Sequence, residues 1–558
     1  MLASRVVADV AAATPEAVGA MTKPAAIRSA ATAIVALRGL AAPVANSPPA
    51  KGPNAMVVLN LLAGLGVQRS LPGGLASTSQ QAPVRAPEGA TSALAAVPVD
   101  TGRVTGVQEG HSDLQIPVGT YTYTGKADWY FPTQADGSVQ AQGVIWLQHG
   151  FLGRKSWYSA LARQLALQTN SVVVVPNVPS FPPRACPDCS LNGVPMQQGV
   201  ADLFLDSNRV ALNTSATAAG YQGVLPESFV LTGHSAGGGL ATAAGGFYTV
   251  GLGPDQDNKL LGVIMFDGVS GNGTFVPALD ALGDTPVYQI AAPPQPWNAN
   301  GQTTADLVSS RPGSFVGVVL ANGSHVDSLI GGVPIVDVIT QLVVRRSPPG
   351  NTAAVYTLAA GWINDFYTPG AGPDNPQYGI YGEPDQYIVM GQTAAIVLGP
   401  PPTIDVSQYL GTWYEVGSVK QFFSIGLVNT KAVYGLNPDG SIRVENSGNY
   451  FVDNGPSSTI VGNAVSLNAE NNKLNVSFLG PATATPPGNY WIVDAAPDYS
   501  WAIVSDANGS SGFLLSRTPV VSDELYGELL DRASAKGVNR SITPTRQPGA
   551  GMAALVAV

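Results

Sequence analysis

The segment ESFVLTGHSAGGGLATAAGG, residues 227–246, constrains the fold of this chain more than any other stretch. An apolar run leads directly into the motif GHSAG and then into a stretch rich in Gly and Ala. Small residues are needed at such a turn because its backbone is strained and the helix must approach the strand closely. The pattern predicts a nucleophile elbow that exposes the Ser235 hydroxyl at the N-terminus of a helix.

Apolar runs of the same kind surround this segment, and helical stretches separate them. They read GVIWLQHG, SVVVVPNVPS, LLGVIMFDG, PVYQIAAP and FVGVVLANGSHVD. Near-continuous apolar strands that alternate with helices are typical of a parallel sheet covered on both faces. The pattern therefore predicts a doubly wound α/β domain over residues 110–375.

The serine needs a neighbouring base, because its hydroxyl is a weak nucleophile until a base accepts its proton. In this fold the base follows the serine along the chain. The chain has four histidines, of which His111, His149 and His234 precede Ser235. We therefore predict that His325, in the loop after FVGVVLAN, is the base.

The base needs a carboxylate that holds its imidazole in the correct tautomer, at the end of a strand between Ser235 and His325. Asp267 fits this requirement best, because it ends the strand LLGVIMF. The next strand, VYQIAAP, runs into PQPWNAN without an acid. Asp306 is the alternative, although its surroundings are typical of a solvated position within a helix.

Two backbone N–H groups must stabilise the oxyanion that forms on the substrate. The residue after the nucleophile, Ala236, supplies the first. The second is predicted at Phe151, which follows the dipeptide His149-Gly150 at the end of the GVIWL strand. His149 is expected to shape this loop rather than to ionise during catalysis.

Together these residues resemble the α/β-hydrolase superfamily, over roughly residues 117–370. The acid in FDGV resembles the arrangement of chlorophyllase-like and dienelactone-hydrolase-related esterases and of some lipases. The resemblance implies hydrolysis of acyl esters through a covalent acyl-serine, without a metal or another cofactor. Two alternatives stay open: a hydrolase of polymeric esters or amides, and a lipid carrier whose hydrolase part is only a scaffold.

The pattern changes beyond residue 400 to eight short alternating strands with turn residues between them, which predicts an all-β up-and-down barrel. SDELYGELLDRASAKGV follows, with a Ser-Asp start and a Gly end that predict one capped helix outside the barrel. The segments DVSQYLGTWYE, NYWIVDAAPDYSWAIVS and LLSRTP resemble lipocalins of the bacterial outer-membrane type. The resemblance implies a structural contact between Trp413 and Arg517, and a fatty acid or lysolipid in the barrel. A filled barrel that serves only as a spacer or docking module is the alternative.

The composition of the chain restricts the kinds of partner that it can bind and indicates its cellular location. Only 11% of the residues are charged, and the formal net charge of −10 excludes a basic surface for nucleic acid. The two cysteines, Cys186 and Cys189, stand in a Pro-rich loop and are predicted to form a local disulfide. This disulfide and the abundance of Gly and Pro favour a secreted or cell-envelope protein. Such a protein can also associate peripherally with the envelope. The first residues lack the layout of a signal peptide.

The expected organisation comprises five segments: an Ala/Pro-rich extension over 1–100, the hydrolase over 110–375, a Pro/Gly-rich linker over 376–403, the lipocalin over 404–540 and a tail over 541–558. The linker predicts that each part folds on its own core. Cutting the chain near residue 400 is accordingly expected to leave the turnover of short, soluble esters unchanged.

Overall fold

The computed structural model describes residues 91–92, 104–332 and 347–548. All of them belong to one compact unit, Pro87–Val558. The extension predicted over residues 1–100 lies outside the described residues, apart from the two-residue strand at 91–92, and so do residues 549–558 of the predicted tail.

Eleven strands of the described chain form one mixed sheet. In chain order they are β1 (Thr91–Ser92), β2 (Gly106–Val118), β3 (Tyr121–Thr133), β4 (Gly143–Gln148), β5 (Ser171–Pro176), β6 (Phe229–His234), β7 (Leu260–Phe266), β8 (Val287–Ala291), β9 (Gly317–Leu320), β10 (Tyr387–Met390) and β11 (Thr393–Val397). Their spatial order is β1-β10-β11-β9-β8-β7-β6-β4-β5-β3-β2. The six strands from β9 to β5 are parallel to their neighbours within this group, whereas β2, β3, β10 and β11 add antiparallel pairs at the edges.

Helices cover both faces of the sheet. In chain order they are α1 (Ser159–Thr169), α2 (Val194–Leu205), α3 (Val210–Ala218), α4 (Ala236–Gly251), α5 (Phe275–Leu282), α6 (Gln302–Ser310) and α7 (Pro349–Tyr367), with short 3-10 helices at Lys155–Tyr158, Pro296–Gly301 and Asp327–Leu329. Val144 and Trp146 of β4 belong to the core that contains α2 and α4, whereas Ile145 and Leu147 belong to the core that contains α1 and α7. This alternation explains why the strand is apolar throughout.

The sheet departs from the predicted parallel arrangement at its edges. β2 and β3 form a long antiparallel hairpin before the first predicted strand. β10 and β11 lie within residues 376–403, yet β11 pairs with β9. The linker prediction is therefore wrong for 387–397, because the Pro- and Gly-rich sequence around these residues concealed two short apolar strands.

The second part is a closed antiparallel barrel of eight strands, as predicted. After a short helix, α8 (Val406–Tyr409), the strands are β12 (Gly411–Ser418), β13 (Leu427–Leu436), β14 (Ile442–Tyr450), β15 (Ser457–Ser466), β16 (Lys473–Ser477), β17 (Tyr490–Ala495), β18 (Trp501–Ser505) and β19 (Gly512–Ser516). Each strand pairs with the next, and β12 pairs with both β13 and β19. Since the first strand closes on the last, the barrel leaves no open sheet edge.

The predicted terminal helix is α9 (Asp523–Ala535), and the Ser522 hydroxyl caps it by accepting a hydrogen bond from the Leu525 N–H at 3.2 Å. α9 packs against β17 and β19 of the barrel and also against β11 of the large sheet. The final strand, β20 (Thr543–Pro544), pairs with β12. The prediction of a tail from 541 is therefore wrong for 541–547, because Gln547 also donates hydrogen bonds to backbone carbonyls of β12 and β13.

Candidate active site

Ser235 stands at the turn between β6 and α4, where its backbone has φ 53° and ψ −128°. Residues other than glycine rarely adopt this conformation, and it persists only where the surroundings enforce it. Those surroundings are close-packed: a Cβ at Gly237 would overlap the Gln148 carbonyl oxygen, and one at Gly150 would lie 2.9 Å from the Ser235 Cβ. The motif glycines therefore permit the approach between this turn and the end of β4.

Three side chains from separate loops meet at this turn. The Ser235 Oγ lies 3.0 Å from the His325 Nε2, and the His325 Nδ1 lies 2.6 Å from the Asp267 Oδ2. The three residues are only 9%, 9% and 4% exposed, respectively. In this arrangement the serine hydroxyl can donate to one imidazole nitrogen while the other donates to the carboxylate.

Backbone and side-chain donors fix the carboxylate of Asp267. The Ala292 N–H donates to Oδ1 at 2.9 Å, and the Asn298 Nδ2 lies 3.2 Å from both carboxylate oxygens. Asp306 lies elsewhere, in α6, where its carboxylate accepts a hydrogen bond from a side chain one turn earlier. Of the two acids weighed from the sequence, the structure brings Asp267 to His325.

The two predicted oxyanion donors belong to the two segments that meet at the serine. Ala236 is the first residue of α4, and Phe151 follows Gly150, which packs against the Ser235 Cβ. Among the described residues, neither backbone N–H has a protein acceptor. Both N–H groups can therefore donate to a ligand oxygen.

His149 shapes the loop that carries Phe151. Its Nδ1 donates to the Gly150 carbonyl at 2.8 Å, and its Nε2 accepts from the Val178 N–H at 3.0 Å. Burial lowers the pKa of His149 to about 4. A neutral imidazole with both nitrogens in use is suited to holding a loop and not to exchanging protons.

A second chain of hydrogen bonds joins this loop to the base. The Tyr158 hydroxyl accepts from the Gly150 N–H at 3.0 Å and donates to the His234 Nδ1 at 2.7 Å. The His234 Nε2 in turn donates to the His325 carbonyl at 2.6 Å. Burial above all, and then the neighbouring His325, hold the pKa of His234 well below its usual range, so this imidazole stays neutral.

Asn298, Tyr158 and Asp327 were not identified from the sequence. Asp327 accepts a hydrogen bond from the Ser324 N–H at 2.9 Å, and burial raises its pKa to about 7. None of these residues belongs to a motif. For Asn298 the available signal was its position shortly after β8, because the carboxyl ends of parallel strands meet at the edge where ligands bind.

An apolar rim borders the candidate oxyanion loop. The rings of Phe151 and Phe181 meet edge to face with centroids 5.1 Å apart. Leu152, which is 57% exposed, donates its backbone N–H to the Ser180 Oγ at 2.7 Å. Since Phe181 is 53% exposed, the loops after β4 and β5 present apolar surface to solvent beside the serine.

The loop after β5 also contains the two cysteines. Cys186 and Cys189 are joined in a disulfide, with Cα atoms 5.3 Å apart. The Leu191 N–H donates to the Pro179 carbonyl at 2.9 Å and closes the same loop. The disulfide therefore lies in the segment that carries the outer part of the apolar rim, including Phe181.

The end of the barrel where β12 begins is closed by a cation-π contact. The Arg517 guanidinium carbon lies 3.8 Å from the Trp413 ring centroid. Arg517 also donates to the carbonyls of Thr412 at 2.9 Å and Gln408 at 2.6 Å. These contacts give Trp413 and Arg517 the structural arrangement that the lipocalin resemblance implies.

The barrel interior contains a cluster of buried apolar side chains. Its buried core contains Ile404, Tyr409, Trp413, Ala432, Tyr434, Val444, Ala464, Leu474, Ile492, Ala502, Val504 and Leu515. The Tyr490 hydroxyl lies 2.8 Å from that of Tyr409 and 2.9 Å from that of Tyr434. The interior thus combines apolar walls with a cluster of three hydroxyl groups.

Two features are absent from the described residues, 91–92, 104–332 and 347–548. No group of three or more His, Cys, Asp and Glu side chains is arranged to hold a metal ion there. Within the same ranges, no helix combines the length and the apolar character needed to cross a membrane.

Comparisons with known proteins identify the second part of the chain. The model of the Lipocalin-like domain family matches residues 404–546. Temperature-induced lipocalin-1 of Arabidopsis thaliana is 33% identical over 144 residues, which are 25% of this chain and 76% of the relative. Outer membrane lipoprotein Blc of Escherichia coli K12 is 35% identical over 147 residues, which are 26% of this chain and 80% of the relative.

The first part has a more distant structural neighbour. A crystal structure of a mutant of the esterase rPPE covers 47% of this chain and 83% of its own, with 12% identity and a TM-score of 0.31. A likeness at this level assigns neither a fold family nor an activity. The closed eight-stranded barrel, the Trp413–Arg517 contact and the relatives agree for the second part, and through residues 404–546 the chain belongs to the lipocalin family.

Proposed function

We propose that residues 104–397 form a serine hydrolase that cleaves acyl esters through an acyl-serine intermediate. The observation that carries the proposal is the continuous contact from the Ser235 Oγ to the His325 Nε2 at 3.0 Å and from the His325 Nδ1 to Asp267 at 2.6 Å. A buried nucleophile, base and carboxylate in this order are the arrangement that activates a serine hydroxyl.

In the first step the Ser235 Oγ attacks the ester carbonyl carbon while the His325 Nε2 accepts the hydroxyl proton. The Asp267 carboxylate stabilises the imidazolium that forms. The backbone N–H groups of Phe151 and Ala236 donate to the oxyanion of the tetrahedral intermediate. When this intermediate collapses, the C–O bond to the alcohol breaks, and His325 returns its proton to the leaving oxygen.

In the second step the acyl group leaves the serine. A water molecule attacks the acyl carbonyl while His325 accepts one of its protons, and the same two N–H groups stabilise the new oxyanion. Collapse releases the carboxylic acid and restores the Ser235 hydroxyl with the proton from His325. Each step uses only residues of this chain and water.

The surroundings of the serine favour an ester with an apolar acyl group. Phe151, Leu152 and Phe181 offer apolar surface next to the nucleophile, and burying such surface against an acyl chain stabilises the complex. The rim is open to solvent, so the proposal includes esters of different chain length and polymeric esters as substrates.

A fluorophosphonate probe tests this proposal directly, because it phosphonylates activated serines. We expect the full-length protein to be labelled at Ser235, as mass spectrometry of its peptides would show, and prior heat denaturation to abolish labelling. Absence of labelling in folded protein would favour the alternative, a lipid carrier whose hydrolase part is a scaffold.

We extend the proposal to the barrel, which binds a fatty acid or a lysolipid. The apolar interior suits an acyl chain, and the hydroxyl cluster around Tyr490 offers hydrogen bonds to a polar headgroup. Such a module, tethered to a hydrolase, raises the local concentration of a poorly soluble substrate or sequesters the released acid.

The barrel can be tested with a fluorescent fatty acid and full-length protein carrying Ser235→Ala, which prevents turnover. We expect saturable binding that Ala464→Phe weakens by about tenfold or more, because the added ring fills the interior. Ala464 is buried in β15, whereas Val461 on the same strand is 47% exposed. Val461→Phe is therefore the matched control and should bind as before. Lack of binding by the unfilled barrel would indicate a spacer or docking module.

The location forms part of the same proposal. A disulfide in a surface loop suits an oxidising compartment, and one relative is named an outer membrane lipoprotein. Both observations support a secreted or envelope protein, peripherally associated with the envelope.

A further inference from the structure

We infer that α9, the terminal helix of the lipocalin part, positions the base of the hydrolase part: Asp531 and Ser534 act through Asn322 on His325. The inference rests on the proposed hydrolase function. It concerns residues that touch neither the substrate nor the reacting atoms, and it makes the barrel part of the structure that holds the catalytic residues in place.

The contact is made at Asn322, three residues before His325. The Asn322 Nδ2 donates to the Asp531 Oδ1 at 3.2 Å, and the Asn322 N–H donates to the Ser534 Oγ at 3.1 Å. The backbone of Asn322 has φ 54°, in the left-handed region that Asn adopts more readily than most residues. Tyr387 of β10 donates to the other oxygen of Asp531 at 2.8 Å, which fixes the carboxylate from the sheet side.

Buried charges hold α9 in this place. Arg532, which is 8% exposed, donates to the Asp385 carbonyl at 2.9 Å and pairs with Asp494 of β17 at 3.2 Å. Lys536 forms an ion pair with the Asp385 carboxylate. One end of this network belongs to the barrel and the other to the large sheet. The network therefore holds the two parts in a defined relative position.

The turn after α9 also lies against the loop that holds the catalytic acid. A Cβ at Gly537 would lie 3.5 Å from Pro294, in the loop between Ala292 and Asn298 that donates to Asp267. Ala535 packs within the core of the hydrolase part. α9 and the turn that follows it therefore lie against the loops that support the base and the acid.

The base loop is fixed on both sides of Asn322. Before it, the Ala321 N–H donates to the Ala394 carbonyl of β11 at 2.9 Å. After it, the His325 carbonyl accepts from the His234 Nε2 at 2.6 Å. The contacts with α9 act between these two points. Because displacements of about 1 Å at a catalytic group cost up to about 10²-fold in rate, a loop set by α9 transmits its position to turnover.

A reciprocal substitution in the full chain tests this inference. The Asp531 carboxylate accepts hydrogen bonds from Asn322 and Tyr387, and Asp531→Asn replaces one of its acceptor oxygens with an NH₂ donor. We expect this variant to lower kcat on p-nitrophenyl acetate by about tenfold, with KM unchanged. Asn322→Asp places two carboxylates opposite each other and should have a larger effect. The double variant restores one donor and one acceptor at the contact and should recover most of the lost kcat.

Glu524→Gln is the matched control, because Glu524 is an exposed carboxyl on the same helix, and it should leave kcat unchanged. Thermal unfolding of each variant separates positioning from folding. The inference is wrong if the folded single variants keep the kcat of the unsubstituted protein, or if the double variant is as slow as the slower single variant. If the unsubstituted protein neither hydrolyses esters nor reacts with a fluorophosphonate, the proposed hydrolase function itself fails.

The inference reverses one expectation drawn from the sequence. If each part were independent, cutting near residue 400 would leave the turnover of short esters unchanged. With Asp531 and Ser534 removed from the base loop, we now expect the truncated chain to hydrolyse even soluble esters more slowly.

Discussion

Ser235→Ala and His325→Ala are each expected to lower kcat on p-nitrophenyl butyrate by about 10⁶-fold, because nucleophile and base act as one unit. In the proposed mechanism, their 3.0 Å contact is the path by which the proton leaves the serine. For the same reason, combining the two substitutions should cost little more than either alone. Steady-state kinetics on purified full-length variants, with the proteins matched by thermal unfolding, measures the effect.

The chain offers matched controls for both substitutions. Ser309 is an exposed serine in α6, and His111 is a histidine of β2 whose side chain is 72% exposed. Ser309→Ala and His111→Ala should retain the unsubstituted kcat. Unchanged turnover after Ser235→Ala or His325→Ala would refute the proposed mechanism, since no other residue is assigned the role of nucleophile or base.

Asp267→Asn is expected to lower kcat by about 10³ to 10⁴-fold through loss of the imidazole orientation. The amide no longer compensates the charge of the imidazolium, and it brings a donor to a site where the Ala292 N–H and the Asn298 amide already donate. The substitution keeps the shape of the side chain. The backbone, with φ 45° at this position, is one that Asn tolerates.

Asp306→Asn is the corresponding control and should have almost no effect on kcat, because this carboxylate accepts a hydrogen bond only within α6 in the described structure. Measuring both variants against the same ester separates the two acids that the sequence offered. A large loss for Asp306→Asn with little change for Asp267→Asn would move the acid role and contradict the geometry.

The candidate site was more accessible to sequence analysis than its supports. Ser235 carries a motif, and His325 is the one histidine downstream of it. Strand order then places Asp267 at the edge where these loops meet. Asn298 and Tyr158 have no such markers. Their roles depend on contacts between distant segments, which neither local propensity nor hydrophobic periodicity encodes.

The fold, too, was predictable where local sequence patterns mark it and not where it depends on contacts between distant segments. Strands that are buried on both faces leave continuous apolar runs, and these predicted the central sheet. Strands that are buried on one face leave an alternating pattern, which predicted the barrel. β10 and β11 are only four and five residues long, and Pro and Gly surround them. The docking of α9 on the large sheet depends on side chains such as Arg532 and Asp531, whose residue types are equally common on solvated helices.

The pairing of β11 with β9 also sets an order of events during synthesis. A ribosome releases the chain from its N-terminus, and domains begin to fold as they emerge. Until residues 393–397 have left the ribosome, β9 remains an edge strand, with backbone groups available to another chain. The strand that protects it immediately precedes the lipocalin sequence. The nascent large sheet is therefore exposed to aggregation, and to chaperones, until translation has passed into the barrel sequence.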